Sequence, residues 1–302
     1  IDMIGTPLGS GTRTYHLNFC DYISNNNIEE NIYIFITKDY FKDIKIKENL
    51  KIKFKIKSPI YANIFFRIFW MQFLFPFELK KLNITHLYSP MNMCPFILKT
   101  LKIKLTLALH SNLPWVYFHM MPGNLIRNII TKYIMQFSVK SCDNLIVDSE
   151  FAKNEIVEIL NLDKKKVFVV YLGIDKKFLL SSENKNFIPN FKYDNYIVSV
   201  LSCVRYHNII NVLKAFKLFK NKTKSKTKLI FVMQILDKNY FKEIETFIID
   251  NFLKNEIIFF HNLDSIYLVN LYKKANLYIF SSYCEVFGLT SLEAMSQGCP
   301  VL

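Results

Sequence analysis

The run SSYCEVFGLTSLEAMSQGCPV, residues 281–301, decides how this chain is read. Residues 277–281 predict a strand and 290–297 a helix, with the turn 283–289 between them. A strand-to-helix turn leaves backbone N–H groups free at the helix start. Those groups, together with the helix dipole, favour a phosphate there. Glu285 in the turn and Glu293, which this spacing puts in the first helical turn, flank that point eight positions apart. A carboxylate only accepts hydrogen bonds, so the pair suits the hydroxyls of a ribose or a hexose. Spacing alone leaves the plainer alternative equally open, with Glu293 a dipole partner and Glu285 a solvated loop residue.

Outward from this run, short apolar stretches alternate with longer amphipathic ones. Strands are predicted at 32–36, 85–88, 104–108, 144–147, 167–171, 196–201, 228–233, 256–259 and 277–281, and helices between most of them, including 150–160, 209–220, 238–252 and 265–274. Runs of Val, Ile and Phe without polar alternation suit parallel strands covered on both faces. Strand–helix alternation builds right-handed βαβ units. The polar segment 174–194, with Pro189 and no clean period, reads as a linker. The expected fold class is therefore α/β, with two doubly wound (Rossmann-like) parallel-sheet domains at 1–180 and 181–302, facing across a ligand cleft. A chain of 302 residues, 51% hydrophobic, is long enough for two cores. No first strand is expected before the glycine-rich segment at 5–12, and the chain stops within an apolar strand at Pro300-Val301-Leu302, so both ends read as truncated.

Composition narrows the partners less. The net charge of +14, carried almost wholly by Lys, fits a polyanion or an anionic membrane, and equally fits compositional drift toward Lys, Ile, Asn, Phe and Tyr. No helix-turn-helix, zinc-finger or RNP-like pattern supports a nucleic-acid partner. The six Cys form no CxxC pair and read as reduced core thiols. The apolar stretch 60–77 carries Arg67 at its middle and Pro76 near its end, which argues for a buried or surface-lying helix over a membrane span. Ser149, ahead of an amphipathic segment, reads as a helix cap rather than a nucleophile.

Taken whole, residues 281–301 resemble the signature of the group 1 glycosyltransferases (family four), retaining enzymes of the GT-B fold. That signature runs approximately E-x-FG-L-x-x-LEAMA-x-G-x-PV, and Glu285, Phe287, Gly288, Leu289, Leu292, Glu293, Ala294, Met295, Gly298, Pro300 and Val301 match it in order. The resemblance implies that Glu285 meets hydroxyls of the transferred sugar, that amides around Phe287, Gly288 and Leu289 meet the sugar or diphosphate, and that Glu293 holds the ribose. Other segments extend it. The run Gly5-Thr6-Pro7-Leu8-Gly9-Ser10-Gly11-Thr12 resembles the family's first glycine-rich loop, so Gly9, Ser10 and Gly11 are expected to approach a phosphate or the acceptor. Leu107-Ala108-Leu109-His110 resembles the strand that ends in the family's His-Asp pair, which makes His110 a candidate catalytic residue beside Glu285; Ser111 replaces the Asp. Tyr171-Leu172-Gly173-Ile174-Asp175 resembles the turn that closes the family's first domain. Arg205 and His207 stand where the family carries a phosphate-binding Arg–Lys pair, with His replacing Lys and supplying less charge at neutral pH.

The resemblance implies transfer of a hexose from a nucleotide diphosphate-sugar to a glycan or lipid-linked acceptor, with retention of configuration, no cofactor and no essential metal. Polysaccharide or lipopolysaccharide synthesis is the expected setting. The expected location is cytoplasmic, with the segment 60–81 offering peripheral contact to the inner face of the plasma membrane. The alternative is a non-catalytic or decayed nucleotide-sugar-binding protein of the same fold, for which Ser111 and His207 speak.

Overall fold

The computed structural model describes residues 1–5, 11–26, 28–42, 44, 51–179, 188, 189, 191–261 and 263–302. The chain divides into two compact units, one of Ile1–Trp115 with Ile129–Leu172 and one of Val116–Asn128 with Gly173–Leu302. Residues 180–187 and 190 of the expected linker lie outside the described residues.

The first unit holds β1 (Ile32–Thr37), β2 (Ile52–Lys57), β3 (His86–Ser89), β4 (Lys104–Leu109), β5 (Asn144–Val147) and β6 (Val167–Val169). Strands β3 to β6 form a parallel sheet in that order, and β1 pairs with β2, also in parallel. Residues 1–3 join the two sets. The Met3 amide donates to Phe35 of β1 at 2.9 Å and the Asp2 amide to Tyr88 of β3 at 3.0 Å. The expectation that no strand precedes the glycine segment is thus corrected: residues 1–3 fill that place. The order becomes β2, β1, residues 1–3, β3, β4, β5, β6, and it reverses between residues 1–3 and β3. Strand β2 was not foreseen, although Ile52, Phe54 and Ile56 alternate with lysines at the period of a half-buried strand. Ser149 caps the helix Glu150–Leu160, its hydroxyl accepting from the Ala152 amide at 3.1 Å.

The apolar segment is a surface-lying helix in three pieces: Ile64–Phe69, a π-turn at Trp70–Leu74, and Phe75–Lys81. Asn63 caps its start and Pro76 falls at the start of its last piece, where a missing N–H costs little. Trp70, Met71, Phe75 and Leu79 face the core, with Trp70 stacked on Phe75. No described helix is long and apolar enough to cross a membrane.

The second unit holds β7 (Tyr196–Cys203), β8 (Lys228–Ile235), β9 (Ile257–His261) and β10 (Leu277–Tyr278), ordered β10-β7-β8-β9 and all parallel, with Val301 bridging β10 on its outer side. Alternate residues of β7 and β8 enter two different cores. Ile197, Leu229, Phe231 and Met233 pack under the helices Ile209–Thr223 and Lys238–Asp250. Tyr196, Val198, Ile230 and Val232 pack with the helix Leu268–Lys274, Tyr278 and Ala294. A sheet apolar on both faces must be covered on both, which gives the doubly wound arrangement. Here the strand order reverses between β7 and β10.

Candidate functional site

In open α/β sheets, ligands bind beyond the carboxyl ends of the strands at the point where strand order reverses. In the second unit that point lies after Cys203 and after Tyr278, and the chain delivers Arg205 and His207 from one side and Glu285 from the other. His207 is buried in a single helical turn, Arg205–His207. Its Nδ1 lies 2.5 Å from the Ser202 carbonyl, which can only accept, so Nδ1 carries a proton. Its Nε2 faces Glu285 Oε1 at 3.4 Å. The Ser281 hydroxyl donates to the His207 carbonyl at 2.7 Å, and the Tyr283 amide to the Tyr206 carbonyl at 2.8 Å, which ties the two loops together. Burial first, then Glu285 and Cys284, push the neighbouring Tyr206 phenol well above its usual range.

Arg205 points elsewhere. Its guanidinium makes a two-pronged contact with Glu243, lies 3.9 Å from Asp237, and covers the Tyr240 ring. All three belong to or cap the helix that follows β8, and the contact with Glu243 raises the Arg205 pKa. Structure therefore brings His207 and Glu285 together and turns Arg205 toward an acidic neighbour.

The helix after the turn is Leu289–Ser296, capped by Gly288 at φ 85°. This left-handed conformation favours glycine, and a Cβ there would meet Phe280 at 3.2 Å. Because the helix starts at Leu289, Glu293 is its fifth residue. The expectation that Glu293 sits in the first turn is corrected; it lies in the second, facing inward. It is 8% exposed, and the Tyr272 hydroxyl donates to its Oε2 at 3.3 Å. Burial pushes its carboxyl up to about 7, against the opposing pull of Lys177 and Tyr272, with Asp175 adding to the rise. The hydroxyls of Ser282 and Ser291, near this helix start, are buried without a hydrogen-bond partner among the described residues. Phe287 and Leu289 are half-buried beside Gly288.

In the first unit, Gly9 and Ser10 lie outside the described residues, and Gly11 opens the helix Gly11–Asn25. His110 follows β4 directly and Asp148 follows β5 directly. These strands pair in register, with Leu109 opposite Val147, so the next residues of each meet at the sheet's carboxyl edge. Both Asp148 oxygens lie 3.0 Å from His110 Nδ1. Asp148 was missed as a site residue. Its signal was present in the sequence: a carboxylate immediately after an apolar strand, matching the position of His110 on the neighbouring one. Arg67 was likewise read only as an argument against a membrane span; it forms a buried ion pair with Asp2. No group of three or more His, Cys, Asp or Glu side chains among the described residues could hold a metal ion.

Comparison with known proteins bears on this geometry. Residues 10–178 match the family described as Glycosyltransferase Family 4, and residues 181–302 match Glycosyl transferases group 1. The chain is 26% identical over 197 residues to the O-antigen chain mannosyltransferase RfbU of Salmonella typhimurium, a match covering 65% of this chain and 51% of that protein. The chain thus spans about half the length of this curated relative. Among solved structures, sucrose-phosphate synthase from Thermosynechococcus elongatus superposes with a TM-score of 0.69 at 16% identity, covering 99% of this chain and 79% of that one. Anabaena HepE in complex with UDP and glucose gives 0.64 at 14% identity, covering 98% and 77%. The fold class is GT-B, with parallel sheets in two Rossmann-like units.

Proposed function

We propose that this chain, which belongs to glycosyltransferase family 4, moves a hexose from a nucleotide diphosphate-sugar to a glycan or lipid-linked acceptor with retention of configuration, in the synthesis of a cell-surface polysaccharide. The observation that carries this reading is the meeting of Glu285 and His207 at the strand-order reversal of the second sheet, beside the Gly288-capped helix start. In that reading the helix start and His207 face the diphosphate, whose charge grows as the glycosidic bond breaks. Glu285, which accepts only, orients hydroxyls of the transferred sugar, and Glu293 accepts from the ribose. His110 serves as the first unit's substrate-facing group. The mannosyltransferase relative supports a polysaccharide acceptor, and the UDP and glucose bound to HepE support a uridine nucleotide among the candidate donors.

The engagement of Arg205 by Glu243 favours a second reading, a nucleotide-sugar-binding protein without transfer. One assay separates them. The protein is incubated with UDP-, GDP- and ADP-hexoses, and release of the nucleoside diphosphate is measured with and without glycan acceptors. Transfer is expected with at least one donor, and Glu285→Ala is expected to lower it at least about 100-fold, the loss typical of removing a group that acts at the reacting centre. Donor binding without turnover by any donor would favour the second reading, and unchanged turnover in Glu285→Ala would remove Glu285 from the site.

We also propose that the first unit rests on an anionic membrane surface through the segment 60–81. Phe65, Phe66, Phe69, Phe73, Leu74 and Phe77 are all exposed along one helical segment, and Lys80 and Lys81 are exposed at its end. An apolar face flanked by cations on a strongly basic chain suits the headgroup boundary of such a surface. In flotation with anionic vesicles the protein is expected to rise with the lipid, and the triple variant F69S/F73S/F77S to stay behind. Absence of binding at both low and high salt would remove this contact.

A further inference from the structure

We propose that Asp148 is a positioning residue for His110, holding the imidazole by Nδ1 so that Nε2 is presented to a sugar hydroxyl. The proposal rests on the reading of His110 as substrate-facing. Four observations lead to it. First, the pair is set by the sheet and not by flexible loops: β4 and β5 run parallel in register, and each of the two residues is the first after its strand. The His110 amide also donates to Asn92 Oδ1 at 2.6 Å, which fixes the backbone from the other side. Second, Asp148 is 1% exposed, and its carboxylate's hydrogen-bonding partner among the described residues is His110. A carboxylate buried with so little solvation is costly to keep, which makes a packing role a poor explanation for it. Third, a carboxylate only accepts, so Nδ1 must carry the proton, and this sets the tautomer of the ring. Fourth, Nε2 of His110 is buried and has no hydrogen-bond partner among the described residues. The ring itself is confined, its side chain 9% exposed and tilted against Tyr15 at 5.0 Å between centroids.

A ring held by one nitrogen, with the other unpartnered among the described residues, is set to hydrogen-bond a group brought against it. With Nδ1 protonated by its contact to Asp148, neutral Nε2 accepts from a hydroxyl. When the ring takes a second proton, the same nitrogen donates to an oxygen while Asp148 balances the charge. In both states the direction of Nε2 is the same, because the carboxylate decides it. Asp148 touches no substrate in this scheme; it acts only through His110. The same logic operates where carboxylates orient metal-bound or catalytic histidines, and removing such a partner typically costs about 10- to 100-fold in activity.

The test has a structural and a kinetic arm. Long-range 15N–1H NMR of the full chain labelled at histidine reads the tautomer of each ring, with His110 assigned by its loss in H110Q. The Nδ1–H form is expected for His110 in the native protein, and a mixture or the Nε2–H form in D148N. The Nε2–H form in the native protein would overturn the proposal whatever the enzyme does, so this arm stands even if no donor supports transfer. In the kinetic arm D148N is expected to lower kcat about 10- to 100-fold with little change in KM for the donor, at an unchanged melting temperature. H110Q is expected to lose at least as much, and the double variant D148N/H110Q no more than H110Q alone, since Asp148 then has nothing to position. Additive losses in the double variant, or native kcat in D148N, would overturn it.

Discussion

Glu293→Gln is expected to make the protein more stable at pH 8 while weakening its hold on the donor. Glu293 is buried, and desolvation pushes its carboxyl up from the usual 4.5 to about 7. A carboxyl whose folded pKa is raised contributes most to stability below its unfolded pKa, and the contribution is lost as pH rises toward the folded value. The cost of ionising this one group in the fold therefore accrues between pH 4.5 and about 7 and is constant above that. A shift of that size corresponds to up to about 3 kcal/mol. Glutamine has the same shape and no charge, so the variant escapes the cost, and calorimetry at pH 8 is expected to show a melting temperature higher by on the order of 5 °C. At pH 4 the two proteins should melt together. Binding runs the other way. An ionised carboxylate accepts two hydroxyls strongly, and hydrogen bonds to charged groups are worth about 1.5–3 kcal/mol. Titration calorimetry with the preferred nucleoside diphosphate is expected to show affinity rising with pH through about 7 in the native protein, and a loss on the order of 10-fold or more in Glu293→Gln at pH 8. Equal stability of the two at pH 8 would show that the carboxyl is not held against its ionisation, and equal affinity would take Glu293 out of the ribose contact.

Arg67→Met is expected to unfold the first unit more readily than any surface change, by about 3–5 kcal/mol, the range found when one partner of a buried ion pair is removed. Arg67 is 4% exposed and Asp2 is fully buried, with Nη2 donating to Oδ2 at 2.9 Å. Asp2 Oδ1 accepts from the Ile4 amide at 3.1 Å, and Gly5, at φ 80°, runs so close to the Arg67 stem that a Cβ would come within 3.2 Å of Cδ. The pair therefore pins residues 1–5 between β1 and β3, and without it the sheet loses its middle. Both tryptophans of the chain, Trp70 and Trp115, belong to the first unit. Intrinsic tryptophan fluorescence thus reports its melting alone, and a fall of about 10 °C is expected in Arg67→Met. The double change D2N/R67M should recover much of the loss, because it removes the stranded charge as well. A melting curve for Arg67→Met within about 2 °C of the native one would show that the pair contributes nothing.

Much of the architecture was legible because parallel strands buried on both faces carry an unbroken apolar run. Tyr196, Ile197 and Val198 read as one strand for that reason, although they serve two different cores. Strand β2 escaped because its lysines interrupt the run, and residues 1–3 escaped because so short a stretch has no period to read. The start of the last helix was misplaced by one residue. Gly288 ends the turn through a left-handed backbone, and that moves Glu293 from the expected first turn to the second, where it is buried.

The sequence by itself determined the α/β class, the strand–turn–helix over 277–296 and the identity of its carboxylates, because local period and residue chemistry are written along the chain. Only the tertiary structure decided which polar groups meet. Strand order put His110 against Asp148 and His207 against Glu285, drew Arg205 to Glu243, and buried Arg67 on Asp2. Each of these pairs joins residues more than 35 positions apart. Their meeting depends on which strands are neighbours and where each one ends, and no local pattern of charges or glycines encodes that.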